Sequence, residues 1–154
     1  MRYAMVLRGE SRSFPAGDPF LAGAGSLDDA EVLVVSGVPL QPDERLSAIL
    51  VELGTESLGV HTGEAAGAEG SNVVGFARYR NGDDPPSQLV ELVRQPSTSP
   101  AALEAARTLF ESHGLTVVVS ADQAGRIIDR LVRPKYNAAL RLLDEGLASQ
   151  ADMD

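Results

Sequence analysis

Apolar residues form short continuous runs, many of them β-branched, separated by polar stretches rich in Gly and Pro. Runs of this kind are typical of strands that are buried on both faces of a parallel sheet. They predict strands at residues 3–7, 31–36, 58–61, 72–80, 89–94 and 115–119. Between them, residues 81–86 (NGDDPP) predict a turn.

Two of the intervening segments predict helices. Residues 42–53 open with a proline and two acids, and residues 99–112 have Ser99 as a candidate cap and Pro100 at the first helical position. Residues 9–25 have no periodicity and are rich in Gly, Pro, Ser and Arg. They predict a long loop that is either functional or poorly ordered.

The longest periodic stretch, residues 120–148, predicts a single helix. Ser120 and Gln123 have the spacing of a capping box, and Gly146 follows the last apolar pair, where helices commonly end. At 1.5 Å per residue such a helix is roughly 35–40 Å long, so one end should project from a small domain. Pro134 lies in its middle and predicts a kink.

The two faces of this helix differ in chemistry. A polar stripe contains Arg126, Arg130, Arg133, Asn137 and Arg141. It is either a surface that binds the phosphates of a ligand, or a solvated face balanced by acids on the same helix. The opposite face is apolar, and its outer half would expose several leucines in a monomer. We therefore expect a two-fold homodimer through this helix.

The alternation of strands and helices predicts an α/β fold with a reduced Rossmann-like, mostly parallel sheet in residues 1–119, followed by one long C-terminal helix in 120–154. The 154 residues include no cysteine, which excludes disulfides and thiolate metal sites. A net charge of −9 argues against a nucleic-acid partner. No apolar run approaches ~20 residues and no signal-like segment opens the chain, so we expect a cytoplasmic protein that does not contact a membrane.

A series of motif residues runs through the second half in a fixed order. They are Leu89, Val90, Glu91, Val117, Val118, Val119, Gly125, Arg130, Pro134, Asn137, Ala139, Leu142, Leu143, Glu145, Gly146, Ala148 and Ser149. Their order and spacing resemble the 3-hydroxyacyl-CoA dehydrogenases, including 3-hydroxybutyryl-CoA dehydrogenase. Residues 28–39 also resemble that family's strand before its second mononucleotide-binding half. The resemblance implies NAD-dependent oxidoreductase chemistry on acyl-CoA substrates, and a helical domain, begun by the long helix, that forms a dimer.

The chain departs from this family where the cofactor would bind. The family has Gly-x-Gly-x-x-Gly directly after its first strand, whereas Gly23 and Gly25 here lack the third glycine and do not follow a strand. No room remains for the family's next two strands or for the acid that holds the ribose. We therefore expect no cofactor, with NAD bound only in the alternative reading of an active enzyme.

The catalytic residues implied by the resemblance are incomplete. Glu91 matches the carboxylate that orients the family's His base, and Asn137 matches the Asn that contacts the reacting oxygen. Ala77 stands at the position of the His, and residues 61–64 stand at the family's active-site Ser. His61 is either a replacement base that reaches Glu91 or an ordinary polar residue at a strand end. His113 is expected to cap a helix.

Three functions remain open at this point. The chain is a truncated, catalytically degenerate relative that acts as a dimeric binding or partner subunit in acyl-CoA metabolism, with an acyl-CoA as a possible ligand. Alternatively it is an active NAD-dependent dehydrogenase with His61 as base, or a purely structural interaction protein.

Overall fold

The computed structural model describes residues 1–63 and 71–153. The strands are β1 (Tyr3–Leu7), β2 (Val32–Ser36), β3 (Ala48–Glu52), β4 (Val73–Arg78), β5 (Leu89–Arg94) and β6 (Thr116–Ala121). The helices are α1 (Pro19–Ala22), α2 (Gly59–Thr62), α3 (Pro100–Ser112), α4 (Ile127–Asp144) and α5 (Gln150–Met153), and a 3-10 turn spans Leu27–Asp29.

The six strands form one sheet in which each strand pairs with its neighbours in sequence. All adjacent pairs are parallel except β4 and β5, which are antiparallel. The predicted mostly parallel, Rossmann-like sheet followed by a C-terminal helix is confirmed. The reversal at β5 brings the start of β5 beside the end of β4, at one edge of the sheet.

Both faces of the sheet are largely covered at strands β2 to β5, whereas β6 is partly exposed. One face packs against α3 and an aromatic cluster of Phe14, Phe20, Phe76 and Phe110. The other face carries aliphatic residues of β2 to β5, which pack with residues that follow β2 and β3. Burial on both sides explains the continuous apolar runs, because a strand covered on both faces has no solvent side to make polar.

The predicted helix at residues 42–53 is wrong, since its second half is strand β3. Residues 48–51 are all buried, and β3 pairs with β2 on one side and β4 on the other. A short apolar run does not distinguish a central strand from a buried helix, and the proline and acids before it indicated a helix start. Backbone pairing with β2 and β4 on either side stabilises this segment as a strand.

The predicted strand at residues 58–61 is also wrong, because this segment forms the short helix α2. The Asp122 carboxylate accepts hydrogen bonds from the backbone N–H groups of Leu58 at 2.6 Å and Gly59 at 2.9 Å. These bonds satisfy donors at the start of the helical turn, which a strand would direct to a neighbouring strand. The residue that caps this helix, Asp122, is distant in sequence, so the local sequence of residues 58–61 does not indicate the helix.

Helix α4 is shorter than predicted. Ser120 and Ala121 extend β6, and Gly125 has a φ of +78° that breaks the chain direction before the helix begins at Ile127. The 18 residues of α4 span about 27 Å. Pro134 lies inside the helix, and Gly146, at φ +67°, follows its end as predicted. No residue of α4 is buried.

The loop predicted at residues 9–25 is partly wrong, because it contains α1 and is anchored in the core. Phe14 and Phe20 are almost fully buried, and Asp18 caps α1 by accepting a hydrogen bond from the Phe20 N–H at 2.9 Å.

Among the described residues, no helix is long and apolar enough to cross a membrane.

Candidate functional site

A cavity of about 440 Å³ opens at the carboxyl ends of β3 and β4, beside the start of α4. Its apolar wall includes Leu53, Val118, Ile127, Ile128 and Leu131. Ligand sites in proteins commonly have volumes of about 300–1,000 Å³ and apolar walls with a few polar groups. The cavity lies at the edge where open α/β sheets bind ligands.

Glu91 is the buried carboxylate of this cavity, with 5% of its surface exposed. One oxygen accepts a hydrogen bond from the Ser120 hydroxyl at 2.6 Å, and the other accepts one from the Ile127 N–H at 2.8 Å. Ile127 is the first residue of α4, where a negative charge is favoured by the helix dipole. Glu91 therefore joins β5, β6 and α4 at the cavity wall.

Ala77 faces Glu91 directly in the antiparallel register of β4 and β5, and it lines the same cavity. Directly opposed residues on such strands have Cβ atoms about 4.5–5.5 Å apart. A histidine at position 77 would thus lie beside the Glu91 carboxylate. The methyl group of Ala77 supplies no proton acceptor at this place.

Neither of the other candidate catalytic residues, His61 and Asn137, lines the cavity that contains Glu91. The His61 ring is 3.2 Å from the Glu56 carboxylate, which is the contact observed for this ring in place of one with Glu91. Asn137 is exposed on α4, whose contribution to the cavity wall comes from its first turns only. His113 follows α3, and its ring lies 2.8 Å from the Leu109 carbonyl, as expected for a residue at a helix end.

Glu56 belongs to the segment that follows β3. Of residues 61–64, which stand at the family's active-site Ser in the sequence, Glu64 lies outside the described residues. Thr55 lines the cavity. Burial raises the pKa of Glu56, but hydrogen bonds from backbone N–H groups, including that of Gly54, and from His61 outweigh it and lower the pKa overall.

Residues 8–13, here called the edge loop, cross the carboxyl ends of the first strands. The Glu52 carboxylate at the end of β3 accepts hydrogen bonds from the Ser11 hydroxyl at 2.9 Å and the Ser13 N–H at 2.6 Å, and a further one from the Ser36 hydroxyl at the end of β2. The Ser13 hydroxyl accepts a bond from the Arg78 N–H at 3.1 Å, at the end of β4. The edge loop thus covers the crevice where a dinucleotide lies in open α/β sheets.

Gly25 lies beside the amino end of β1, at the opposite ends of the strands from the cavity, and Gly23 lies two residues before it. The Gly25 N–H donates to the carbonyl of Tyr3 at 2.8 Å, and Tyr3 is the first residue of β1. A phosphate cradle belongs at the last residue of that strand. The Tyr3 hydroxyl donates to the Phe20 carbonyl, and burial, followed by the nearby charge of Asp18, raises the Tyr3 pKa to about 12.

Arg126 belongs to the polar stripe that the sequence predicts on the long helix, either as a phosphate-binding surface or as a solvated face. In the structure it precedes α4 in extended conformation and is only 4% exposed, so it does not lie on a solvated face of that helix. Its Nη2 donates to the carbonyls of Glu56 at 2.8 Å and Gln123 at 3.0 Å. In the part of the chain that the structure describes, its Nε and Nη1 are buried and have no hydrogen-bond partner.

The cavity is positively charged in an acidic protein. Its wall contains two carboxylates, Glu91 and Asp129, and five arginines, Arg12, Arg78, Arg80, Arg126 and Arg133. Arg78 is paired with Asp18 at 2.5 Å. Within residues 1–63 and 71–153, no group of three or more His, Asp or Glu side chains is placed to hold a metal ion.

The hydrogen bonds that Glu52 accepts from Ser11, Ser13 and Ser36 can be tested by substitution. We expect Glu52→Gln to lower the free energy of unfolding by about 1–3 kcal/mol, because an amide leaves donors of Ser11, Ser13 or Ser36 unsatisfied. Urea unfolding measures the difference. Glu10→Gln makes the same chemical change at an exposed position of the edge loop and should change the stability little. Equal effects of the two substitutions would contradict the role of Glu52.

Known proteins share this fold. No family model matches the chain. L-carnitine dehydrogenase of Pseudomonas putida is 37% identical over 67 residues, which are 43% of this chain and 21% of that protein. Among solved structures, (S)-3-hydroxybutyryl-CoA dehydrogenase from Ralstonia eutropha has a TM-score of 0.64 and 19% identity, over 81% of this chain and 47% of that one.

A second solved structure broadens the chemistry of the neighbours. It is 5-formyl-3-hydroxy-2-methylpyridine 4-carboxylic acid 5-dehydrogenase, an NAD+-dependent dismutase, with a TM-score of 0.63 and 17% identity, over 82% of this chain and 44% of that one. The chain therefore spans about a fifth of the curated relatives it matches and just under half of these structures. The resemblance to 3-hydroxyacyl-CoA dehydrogenases is confirmed at the level of the fold.

Proposed function

We propose that this chain is a cytoplasmic binding or partner subunit related to the 3-hydroxyacyl-CoA dehydrogenases, without NAD-dependent dehydrogenase activity of its own. The observation that carries the proposal is the pairing of Ala77 with Glu91 across β4 and β5. In the enzymes it resembles, a His at this place takes the hydroxyl proton and the Glu orients that His. The carboxylate is present here, but the base that it would orient is replaced by a methyl group.

In the part of the chain that the structure describes, no histidine lines the cavity beside Glu91. Both Glu91 oxygens already accept hydrogen bonds, from Ser120 and Ile127, which hold the carboxylate in the wall. The His61 ring contacts Glu56 instead. A general base must lie within hydrogen-bond reach of the proton that it removes, so this geometry does not support the usual proton transfer beside Glu91.

The carboxyl edge of the sheet does not fit a dinucleotide. NAD would supply the hydride acceptor for these enzymes' reaction. Its pyrophosphate needs free backbone N–H groups behind the first strand. Here the Ser13 N–H of the edge loop donates to the Glu52 carboxylate at 2.6 Å, and the Arg8 N–H donates to the Ser36 carbonyl at 2.9 Å. This arrangement supports the expectation that NAD is not bound.

The cavity is the proposed site for the acyl part of an acyl-CoA. Its apolar wall accommodates a short hydrocarbon chain, since apolar surface gains about 25 cal/mol per Å² when it is removed from water. Arg12 and Arg133 also line the cavity and are exposed to solvent. Their charges are suited to the phosphates of a CoA moiety.

We further propose that the subunit is a homodimer through α4. No residue of this helix is buried, and its exposed apolar side chains include Leu131 at 69% and Leu142 at 41%. A contiguous exposed apolar surface of this kind usually marks an association site. A second copy of the chain supplies the same surface, and two such surfaces pair about a two-fold axis.

The decisive experiment is an assay of NADH oxidation with acetoacetyl-CoA. We expect the native chain to show no turnover, and Ala77→His to remain inactive as well, because the variant restores an imidazole but not a cofactor site. In thermal unfolding, acetoacetyl-CoA should raise the melting temperature and NAD should not, since only a ligand of the native state stabilises it. Turnover by the native chain would overturn the proposal.

A second candidate function is an active dehydrogenase with a rearranged site. The observation in its favour is the contact between the His61 ring and the Glu56 carboxylate, a base beside a supporting carboxylate. Loss of NADH-dependent turnover in His61→Ala, with turnover kept in Ala77→Gly, would establish this function. A purely structural interaction protein would respond to neither acetoacetyl-CoA nor NAD in thermal unfolding.

A further inference from the structure

Arg126 is a buried cation whose donors are only partly used. Its Nη2 binds two backbone carbonyls, of Glu56 and Gln123. Its Nε and Nη1 lie buried without an acceptor in the described part of the chain. An unsatisfied buried donor costs about 1–3 kcal/mol, and more when it belongs to a charged group. A guanidinium keeps its charge under all ordinary conditions, so it does not escape this cost by losing a proton.

Two carboxylates near Arg126 are engaged elsewhere. Glu91 accepts hydrogen bonds from Ser120 and Ile127, and Glu56 accepts them from Gly54 and lies against His61. Asp129 also lines the cavity, but none of the ion pairs among the described residues includes Arg126. Within residues 1–63 and 71–153, the buried cation therefore has no carboxylate partner.

Arg126 also lies in the wall of the cavity, among the apolar residues that follow it in α4. Arg126 thus forms part of the boundary of a space that is large enough for a small molecule, and its buried Nε and Nη1 lie behind that boundary. Removal of an anion from water strengthens its attraction to a cation, because the effective dielectric constant falls. An anionic group at this end of the cavity would supply an acceptor that the described residues do not provide, once a shift of the Arg126 side chain uncovers these two nitrogens.

We infer that Arg126 is the anchor for a carboxylate in the cavity, so that the ligand is a small carboxylic acid or an acyl group that carries a free carboxylate. The inference rests on the proposed role of the cavity as the ligand site, and it narrows the ligand class. Arginine matches the planar carboxylate better than lysine does, because its donors form a rigid fork. The apolar wall formed by Ile128 and Leu131 would contact the rest of the ligand.

Titration calorimetry with 3-hydroxybutyrate and its neutral methyl ester tests this inference. At constant ionic strength, we expect the native chain to bind the acid at millimolar concentration and to bind the ester at least tenfold more weakly. Arg126→Met should weaken the binding of the acid at least tenfold. Arg126→Lys, which keeps the charge but not the fork, should weaken it less. Arg94→Met removes a charge from an exposed position at the end of β5, outside the cavity wall, and should leave the affinity within about twofold.

The outcomes separate this inference from the proposed function. If acetoacetyl-CoA binds equally well to the native chain and to Arg126→Met, while the free acid does not bind, the proposed function stands and the inference is wrong. If the acid binds in an Arg126-dependent manner but acetoacetyl-CoA does not, the inference stands and the acyl-CoA assignment is wrong. Equal binding of the acid and the ester, or equal losses in the Arg126→Met and Arg94→Met variants, would overturn the inference. Should Arg126→Met not fold, the comparison of acid with ester and the Arg126→Lys variant still decide it.

Discussion

Replacement of Phe14 by Ala is expected to lower the free energy of unfolding by about 3–5 kcal/mol. Phe14 is 1% exposed, and its ring stacks on Phe20 with centroids 4.1 Å apart. It also lies 5.9 Å from the ring of Phe76 on β4 and 6.1 Å from that of Phe110 on α3. Phe14 therefore ties the segment after β1 to the middle of the sheet, and its removal leaves a cavity bordered by three aromatic rings.

Urea unfolding of the Phe14→Ala variant gives the measurement. Phe14→Leu keeps much of the volume and should cost less than the alanine substitution. Leu27→Ala removes a side chain that is largely exposed, and it should change the stability by no more than about 0.5 kcal/mol. A loss of less than about 1 kcal/mol in Phe14→Ala would mean that residues 8–18 do not pack against the core as described.

The second large effect concerns association through α4. Substitution of both Leu142 and Leu143 by Glu is expected to convert the proposed dimer into a monomer, because it places two charges per chain in an interface that would be apolar. Leu and Glu have similar helix propensities, so the helix itself should persist. Light scattering at micromolar concentration measures the mass, and circular dichroism monitors the helix content.

Arg141→Glu is the matched control for this pair. It changes the net charge of the chain by the same amount, but Arg141 lies on the polar face of the helix. We expect this variant to remain dimeric. A native chain that is monomeric at micromolar concentration would remove the dimer proposal, and dissociation by Arg141→Glu alone would show that total charge rather than the apolar face controls association.

Much of the sheet was predictable because its strands are buried on both faces. The runs at Tyr3–Leu7 and Leu89–Arg94 coincide with β1 and β5, since their limits are set by local polar residues. Strand β3 was missed because a proline and two acids before it indicate a helix, while the decisive interactions come from β2 and β4 on either side. Long-range pairing of this kind leaves no local pattern.

The candidate site was predictable only in part, for a related reason. Glu91 and Ala77 could be identified from motif positions, and their apposition follows from the register of adjacent strands. The contact of His61 with Glu56 depends on the short helix α2, which is capped by the distant Asp122. Arg126 looked like one member of a periodic row of arginines. Because α4 begins at the next residue, Arg126 is not part of that helical row, and its side chain lies in the wall of the cavity instead.

The lack of buried residues in α4 bears on how the end of the chain folds. An isolated helix of this length is marginally stable in water, and a proline in its middle weakens it further. In the proposed dimer, contacts with the second copy would add to the stability of this helix. Folding of the C-terminal helix and dimerisation would then be coupled, so both would depend on protein concentration. Dilution would reduce the helix content of the C-terminal segment while the sheet stayed intact.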